Sequence, residues 1–188
     1  LRVSKAISNK VANPILEGIK ITAEDDTLTL SATDTELSIE KKIKAEVKSE
    51  GETVVPGRFI TEFVKKLTNT TIELEVNEKN QLFIRYDDSE SLIQCYNPVE
   101  YPGFKRIDSN EFFGISQKDF RTCVNKTIFS VALDDSRPIL KGVLFDINNN
   151  ELNVVALDGY RLARVKKQVN STIKRCIVVP ARSLSELS

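Results

Sequence analysis

Several short stretches of this chain alternate apolar with polar residues. Leu28-Thr29-Leu30-Ser31-Ala32 and much of Leu152-Asn153-Val154-Val155-Ala156 follow a period of two, which predicts strands with one buried face. Further strands are predicted at 37–47, 72–77, 82–86 and 91–95. The hydrophilic breaks Asp25-Asp26 and Asn148-Asn149-Asn150 precede the first two strands and read as hairpin turns. Elsewhere the period lengthens. Ser116-Gln117-Lys118-Asp119 has the form of a helix N-cap with an acidic residue three positions on, and Phe120, Cys123, Val124, Thr127 and Ile128 follow at helical spacing. A second helix is predicted after Pro56, with Ile60, Phe63, Val64 and Leu67 on one stripe, and Pro180, Leu184 and Leu187 open its counterpart. Strands outnumber helices and are joined by short turns, so the class is α+β with mostly antiparallel sheet.

The counterparts belong to a repeat. Asn13-Pro14-Ile15-Leu16-Glu17-Gly18-Ile19 returns as Arg137-Pro138-Ile139-Leu140-Lys141-Gly142-Val143, an offset of 124 residues. At the same offset Ala32-Thr33-Asp34 meets Ala156-Leu157-Asp158, and Val54-Val55-Pro56-Gly57-Arg58 meets Val178-Val179-Pro180-Ala181-Arg182. Matches this far apart that hold one offset indicate two copies of a single domain, and the period is too long for a small solenoid. Between the copies, Asn97-Pro98-Val99-Glu100-Tyr101-Pro102-Gly103 is rich in turn formers, which sets the expected boundary near 108: a first domain at 1–108 and a second at 109–188. The repeat leaves residues 111–124 and the second half of the first copy without partners. The expectation is therefore a fragment of a longer chain, in accord with Leu1 at its start and the lack of any Met.

Composition narrows the function. Among the 188 residues, 27 Lys and Arg balance 27 Asp and Glu, so tight, salt-driven binding to nucleic acid or to an anionic membrane is disfavoured. With no His, triads and His-ligated metal sites are excluded. Cys95, Cys123 and Cys176 are widely spaced and show no CxxC pairing, as expected of reduced thiols in a cytoplasmic protein. No apolar run has the length of a signal peptide or a membrane span. The seven glycines never cluster into a phosphate loop. The doublets Asp25-Asp26, Asp87-Asp88 and Asp134-Asp135 admit a magnesium reading, but turns account for them more simply. No cofactor or metal is expected.

Two features remain. Seven basic residues and no acidic one lie between Gly159 and Ser185, whereas residues 72–100 hold seven acids. On the predicted helices Lys118, Arg121 and Asn125 fall opposite Phe120 and Val124, and Arg58 and Lys65 share a polar face with Glu62. Such faces are either solvated surface or a surface for phosphates. The second feature is Asp158-Gly159-Tyr160-Arg161-Leu162, which ends a predicted strand. It reads either as a plain hairpin with Leu162 returning to the core, or as an apolar notch with Leu140 and Leu157, edged by Tyr160 and Arg161.

At these residues the sequence resembles the bacterial DNA polymerase III beta subunit family, the sliding clamps. The resemblance lies in Asn13-Pro14-Ile15-Leu16, Val54-Val55-Pro56-Gly57-Arg58-Phe59, Phe129-Ser130, Arg137-Pro138-Ile139-Leu140-Lys141-Gly142, Asp158-Gly159-Tyr160-Arg161-Leu162-Ala163 and Val178-Val179-Pro180. It implies similar domains with antiparallel sheets outside and two helices inside, and two chains closed head to tail around duplex DNA. It further implies an accessory subunit without a catalytic site, sequence-independent contacts to double-stranded DNA, and a groove for short linear motifs of the polymerase III alpha subunit, the clamp loader and repair proteins. By position, Lys10 is a DNA-contacting residue; helix faces extend that set to Arg58, Lys65, Lys118, Arg121 and Lys126. The partner groove maps to Arg137, Leu140, Leu157, Gly159, Tyr160, Arg161 and Leu162, with its remaining wall in an absent third domain. The alternative is a cytosolic, strand-rich protein-interaction module, or an enzyme whose catalytic residues lie in the missing part.

Overall fold

In the computed structural model residues 1–7, 13–68, 71–104 and 111–188 are described. The chain divides into two compact units, 1–105 and 106–188. Unit 1 contains β1 (Gly18–Glu24), β2 (Thr27–Thr33), β3 (Ser38–Lys44), β4 (Gly51–Pro56), α1 (Gly57–Lys66), β5 (Ile72–Val76), β6 (Gln81–Tyr86) and β7 (Ser89–Gln94). Unit 2 contains α2 (Gln117–Asn125), β8 (Gly142–Asn148), β9 (Glu151–Leu157), β10 (Leu162–Gln168), β11 (Lys174–Pro180) and α3 (Ala181–Leu187).

Each unit holds a four-stranded antiparallel sheet of the same order, β3-β2-β1-β4 in unit 1 and β10-β9-β8-β11 in unit 2; unit 1 adds a three-stranded sheet, β5-β6-β7. The repeat extends to register. Lys20 lies opposite Ser31 and Leu144 opposite Val155, the same pairing displaced by the repeat offset. Asp25 and Asp26 have φ of 46° and 53°, the left-handed pair that a two-residue hairpin matched to strand twist requires. Asp87 and Asn149 take the same region at the turns before β7 and β9. Thus the acidic doublets at 25–26 and 87–88 are turn residues, and the loop doublet Asp134-Asp135 is engaged by Ser136 and Lys141.

In unit 1 the core lies between the two sheets, where Ile19, Ile21, Ala32 and Val55 meet Leu82, Ile84 and Ile93, closed by Ile60 of α1 and by Val3 and Ala6 of a 3-10 turn. In unit 2 Val143, Phe145, Ile147, Leu152, Val154 and Ala156 pack under Cys123 and Val124 of α2 and Leu184 of α3. Each large aliphatic or aromatic side chain so buried contributes about 1.5–3 kcal/mol of transfer free energy. Ser116 caps α2 as its pattern predicts: its Oγ accepts from the Asp119 amide at 3.1 Å and donates to the Asp119 carboxylate at 2.9 Å.

The pattern misplaces some edges. The stretch 37–47 is a strand only over Ser38–Lys44, and β1, β4, β8, β10 and β11 are not among the predicted strands. In the outer strand β10, Leu162, Arg164, Lys166 and Gln168 lie on the exposed side, so charge hides its alternation. The helix stripes are also narrower than expected. Ile60 and Leu184 are buried, but Val64 is 43% and Leu187 69% exposed.

Candidate functional site

The turn between β9 and β10 is built by one carboxylate. Asp158 Oδ1 accepts from the amides of Tyr160 and Arg161, both at 3.0 Å, and Oδ2 accepts from Arg161 Nε at 2.9 Å. The Asp158 amide donates to the Arg161 carbonyl at 3.3 Å, and Gly159 supplies the left-handed position with φ of 96°. The two backbone donors, followed by the Arg161 guanidinium, hold the Asp158 carboxyl below its ordinary range, so it is ionised at neutral pH. Tied at Nε, the Arg161 guanidinium lies 5.9 Å from the centre of the Phe129 ring. What the turn presents outward is Tyr160, fully exposed, and Leu162, 63% exposed. Leu162 therefore does not return to the core, and the plain-hairpin reading fails there.

The copy in unit 1 isolates what is special about this turn. Asp34 Oδ1 accepts from the amides of Glu36 and Leu37 at 3.0 and 2.7 Å, and Thr35 holds φ of 78°. The scaffold is the same but the cargo differs: Glu36, Leu37 and Ser38 replace Tyr160, Arg161 and Leu162, and Leu37 packs against the core. Only unit 2 directs an aromatic, a cation and an aliphatic residue into solvent at this place.

Of the other predicted notch residues, Leu157 lies opposite Leu162 in the β9–β10 ladder and is partly covered. Leu140 is half-buried in a 3-10 turn, Pro138–Lys141, and its carbonyl accepts from the Ala132 amide at 2.9 Å. Arg137 precedes that turn and is exposed, with no side-chain hydrogen bond or ion pair to another described residue. The structure thus joins Leu157, Gly159, Tyr160, Arg161 and Leu162 in one turn and its ladder, and holds Leu140 through the neighbouring loop. Sequence reasoning misses two participants. Spacing marks Asp158 as part of the motif and not as its organiser, and Phe129 enters through a ring contact that no local spacing reveals.

Part of the basic run after Gly159 is paired: Lys166 with Glu151 at 2.6 Å, Lys167 with Asp119 and Arg175 with Glu111, while Arg164 donates to the neutral Asn153 amide oxygen at 2.7 Å. On the helices and just after α2, Arg58, Lys118, Arg121 and Lys126 are exposed and form no side-chain hydrogen bond or ion pair with other described residues. Lys65 is exposed but bound to Glu62 at 2.6 Å. Lys10 lies outside the described residues.

The chain as a whole is similar to known proteins. The model for the DNA polymerase III beta subunit, N-terminal domain, matches residues 1–105, and that for the central domain of the same subunit matches residues 114–188. The beta sliding clamp of Halalkalibacterium halodurans is 35% identical over 198 residues, covering 99% of this chain and 52% of that protein. The crystal structure of the DNA polymerase sliding clamp from Bacillus subtilis superposes with a TM-score of 0.88 at 33% identity, covering 100% of this chain and 52% of that one. A putative DNA polymerase III beta subunit from Eubacterium rectale gives 0.90 at 29% identity, covering 98% and 51%. The chain spans about half the length of the curated relatives it matches. Two domain models in sequence order and agreement of fold over the whole chain lead to one assignment: this chain belongs to the DNA polymerase III beta subunit family.

Proposed function

We propose that the full-length protein is a DNA sliding clamp, a processivity factor without chemistry of its own, to which this chain contributes a first clamp domain at 1–108 and part of a second from 109. The observation that carries this is the match of 99% of the chain to proteins named beta sliding clamp. In this reading two full-length chains close head to tail around duplex DNA. Clamping is topological: a tethered polymerase that lets go of the primer end remains nearby and rebinds, a gain in effective concentration rather than in contact energy. Weak phosphate contacts suffice, and Arg58, Lys118, Arg121 and Lys126 support them as exposed cations on and beside α1 and α2, unpaired among the described residues. Lys65 contributes less, because leaving Glu62 offsets what a phosphate returns.

The partner site in this reading is the 158–162 turn with Leu140, Leu157 and Arg137. An exposed tyrosine, a fixed arginine and an exposed leucine suit a short peptide with large apolar residues, such as the end of a polymerase subunit. Full-length protein loaded onto nicked circular DNA tests the ring. Clamps remain on the circle and escape within minutes once it is cut, whereas equal retention on circle and linear product overturns the proposal.

A further inference from the structure

Between α2 and β8 a short 3-10 turn, Ile128–Ser130, directs one aromatic residue outward. Thr127 and Ser130 are 0% and 1% exposed and Ile128 packs against the core, whereas Phe129 is 57% exposed. The backbone around it is fastened. Thr127 Oγ1 donates to the Cys123 carbonyl at 2.8 Å, the Ser130 amide to the Thr127 carbonyl at 2.9 Å, and the Ala132 amide to the Leu140 carbonyl at 2.9 Å. Phe129 is thus held at the surface by its neighbours, and its ring meets the Arg161 guanidinium, whose carbon lies 5.9 Å from the ring centre.

The same turn occurs in unit 1, displaced by the repeat offset. Val3–Ala6 is a 3-10 turn in which Val3, Ala6 and the following Ile7 are buried, as Thr127, Ser130 and Val131 are in unit 2. The outward place of Phe129 is taken there by Lys5, and the place of Arg161 by Leu37, which packs against the core. The frame is duplicated, but the pairing of an aromatic face with a guanidinium is found in unit 2, beside the turn that points outward.

Arg161 is therefore held twice. Its Nε donates to Asp158 Oδ2 at 2.9 Å, its guanidinium lies over the Phe129 ring, and its terminal nitrogens form no hydrogen bond with another described residue. An arginine free on a surface hairpin samples many rotamers and loses that freedom when it binds. We propose that Phe129 is a positioning residue of the partner site: together with Asp158 it fixes the guanidinium so that the terminal nitrogens meet an oxygen acceptor of the bound peptide. This rests on the reading of the 158–162 turn as the partner site.

Titration of the full-length protein with a polymerase-end peptide tests it. Phe129→Leu keeps an apolar side chain but removes the ring face, and is expected to weaken binding roughly threefold, the size of one exposed cation–π contact. Phe129→Tyr keeps the ring and restores the affinity of the parent. Both variants should unfold at the same temperature, so that a difference in affinity between them reports the ring and not the fold. The decisive measurement is a double-mutant cycle. In an Arg161→Gln background, which itself weakens binding, Phe129→Leu is expected to cost nothing further. An undiminished loss in that background shows that the ring touches the peptide directly and overturns the proposal, as does parent-like affinity of Phe129→Leu. Leu162→Asp is the control. If it binds as tightly as the parent, the partner-site reading falls and this proposal with it; if it abolishes binding while Phe129→Leu changes nothing, the positioning role falls alone.

Discussion

At the scale of single residues, Asp158 decides what the exposed turn offers. Asp158→Asn keeps an oxygen for the amides of Tyr160 and Arg161 but removes the acceptor and the charge at Arg161 Nε. The expected result is an unfolding temperature within about 2 °C of the parent and a roughly three- to tenfold loss in affinity for a polymerase-end peptide, measured by titration on full-length protein, because the charge-assisted hydrogen bond that orients the arginine is removed. Leu162→Asp, at a position already 63% exposed, leaves the fold intact and abolishes that binding; unchanged affinity removes the turn from the partner site. The duplicated turn supplies an independent check. Thr35 is β-branched and sits at φ of 78°, so Thr35→Gly is expected to stabilise unit 1 by about 0.5–1 kcal/mol in denaturant unfolding.

At the scale of elements, α2 is fastened at its start. Asp119 accepts from the Ser116 hydroxyl and also receives Lys167 of β10, and this lysine, followed by Ser116, holds its carboxyl below its ordinary range. Because the folded value is the lower one, its contribution is complete above the unfolded value and disappears as pH falls through the folded one. Below about pH 4, the protection of first-turn amides of α2, measured relative to their intrinsic exchange rates, should therefore fall more steeply in the parent than in Asp119→Asn, which has no such proton to take up. In α1, Gly57 is required by its neighbours. A Cβ there would come within 2.4 Å of Ile7 Cδ1 and 2.6 Å of the Glu17 carbonyl. Unit 2 carries Ala181 at the matching position. Gly57→Ala is expected to cost about 1–3 kcal/mol by crowding, seen as a lower denaturant midpoint.

For the whole molecule, zero net charge and a role on DNA are compatible once charges are sorted by partner. The three basic residues of β10 and Arg175 of β11 are engaged by Asp, Glu or Asn of their own unit, whereas Arg58, Lys118, Arg121 and Lys126 are exposed and unpaired among the described residues. Replacing Arg58, Lys118, Arg121 and Lys126 together by Ala should lower the salt dependence of DNA binding by the full-length protein, by up to about 0.9 in slope for each phosphate that is no longer neutralised, while peptide binding at the 158–162 turn stays unchanged. A slope that does not move shows that these residues do not meet DNA.

The sequence by itself determined the α+β class, the duplication, the hairpin turns at Asp25-Asp26 and Asp87-Asp88, the helix N-cap at Ser116 and the family, because each of these is written in local spacing or in one long-range offset. The notch was half legible. Its residues could be named, but Asp34 and Asp158 open nearly the same turn in both copies, and spacing cannot say that Leu37 turns inward while Tyr160 and Leu162 turn out. Tertiary structure alone decided that, along with which cations are already paired and which of two identical isoleucines, Ile15 and Ile139, is covered. The physical reason is common to all three: exposure and pairing depend on what another segment brings into reach, and that segment stands tens of residues away in the chain.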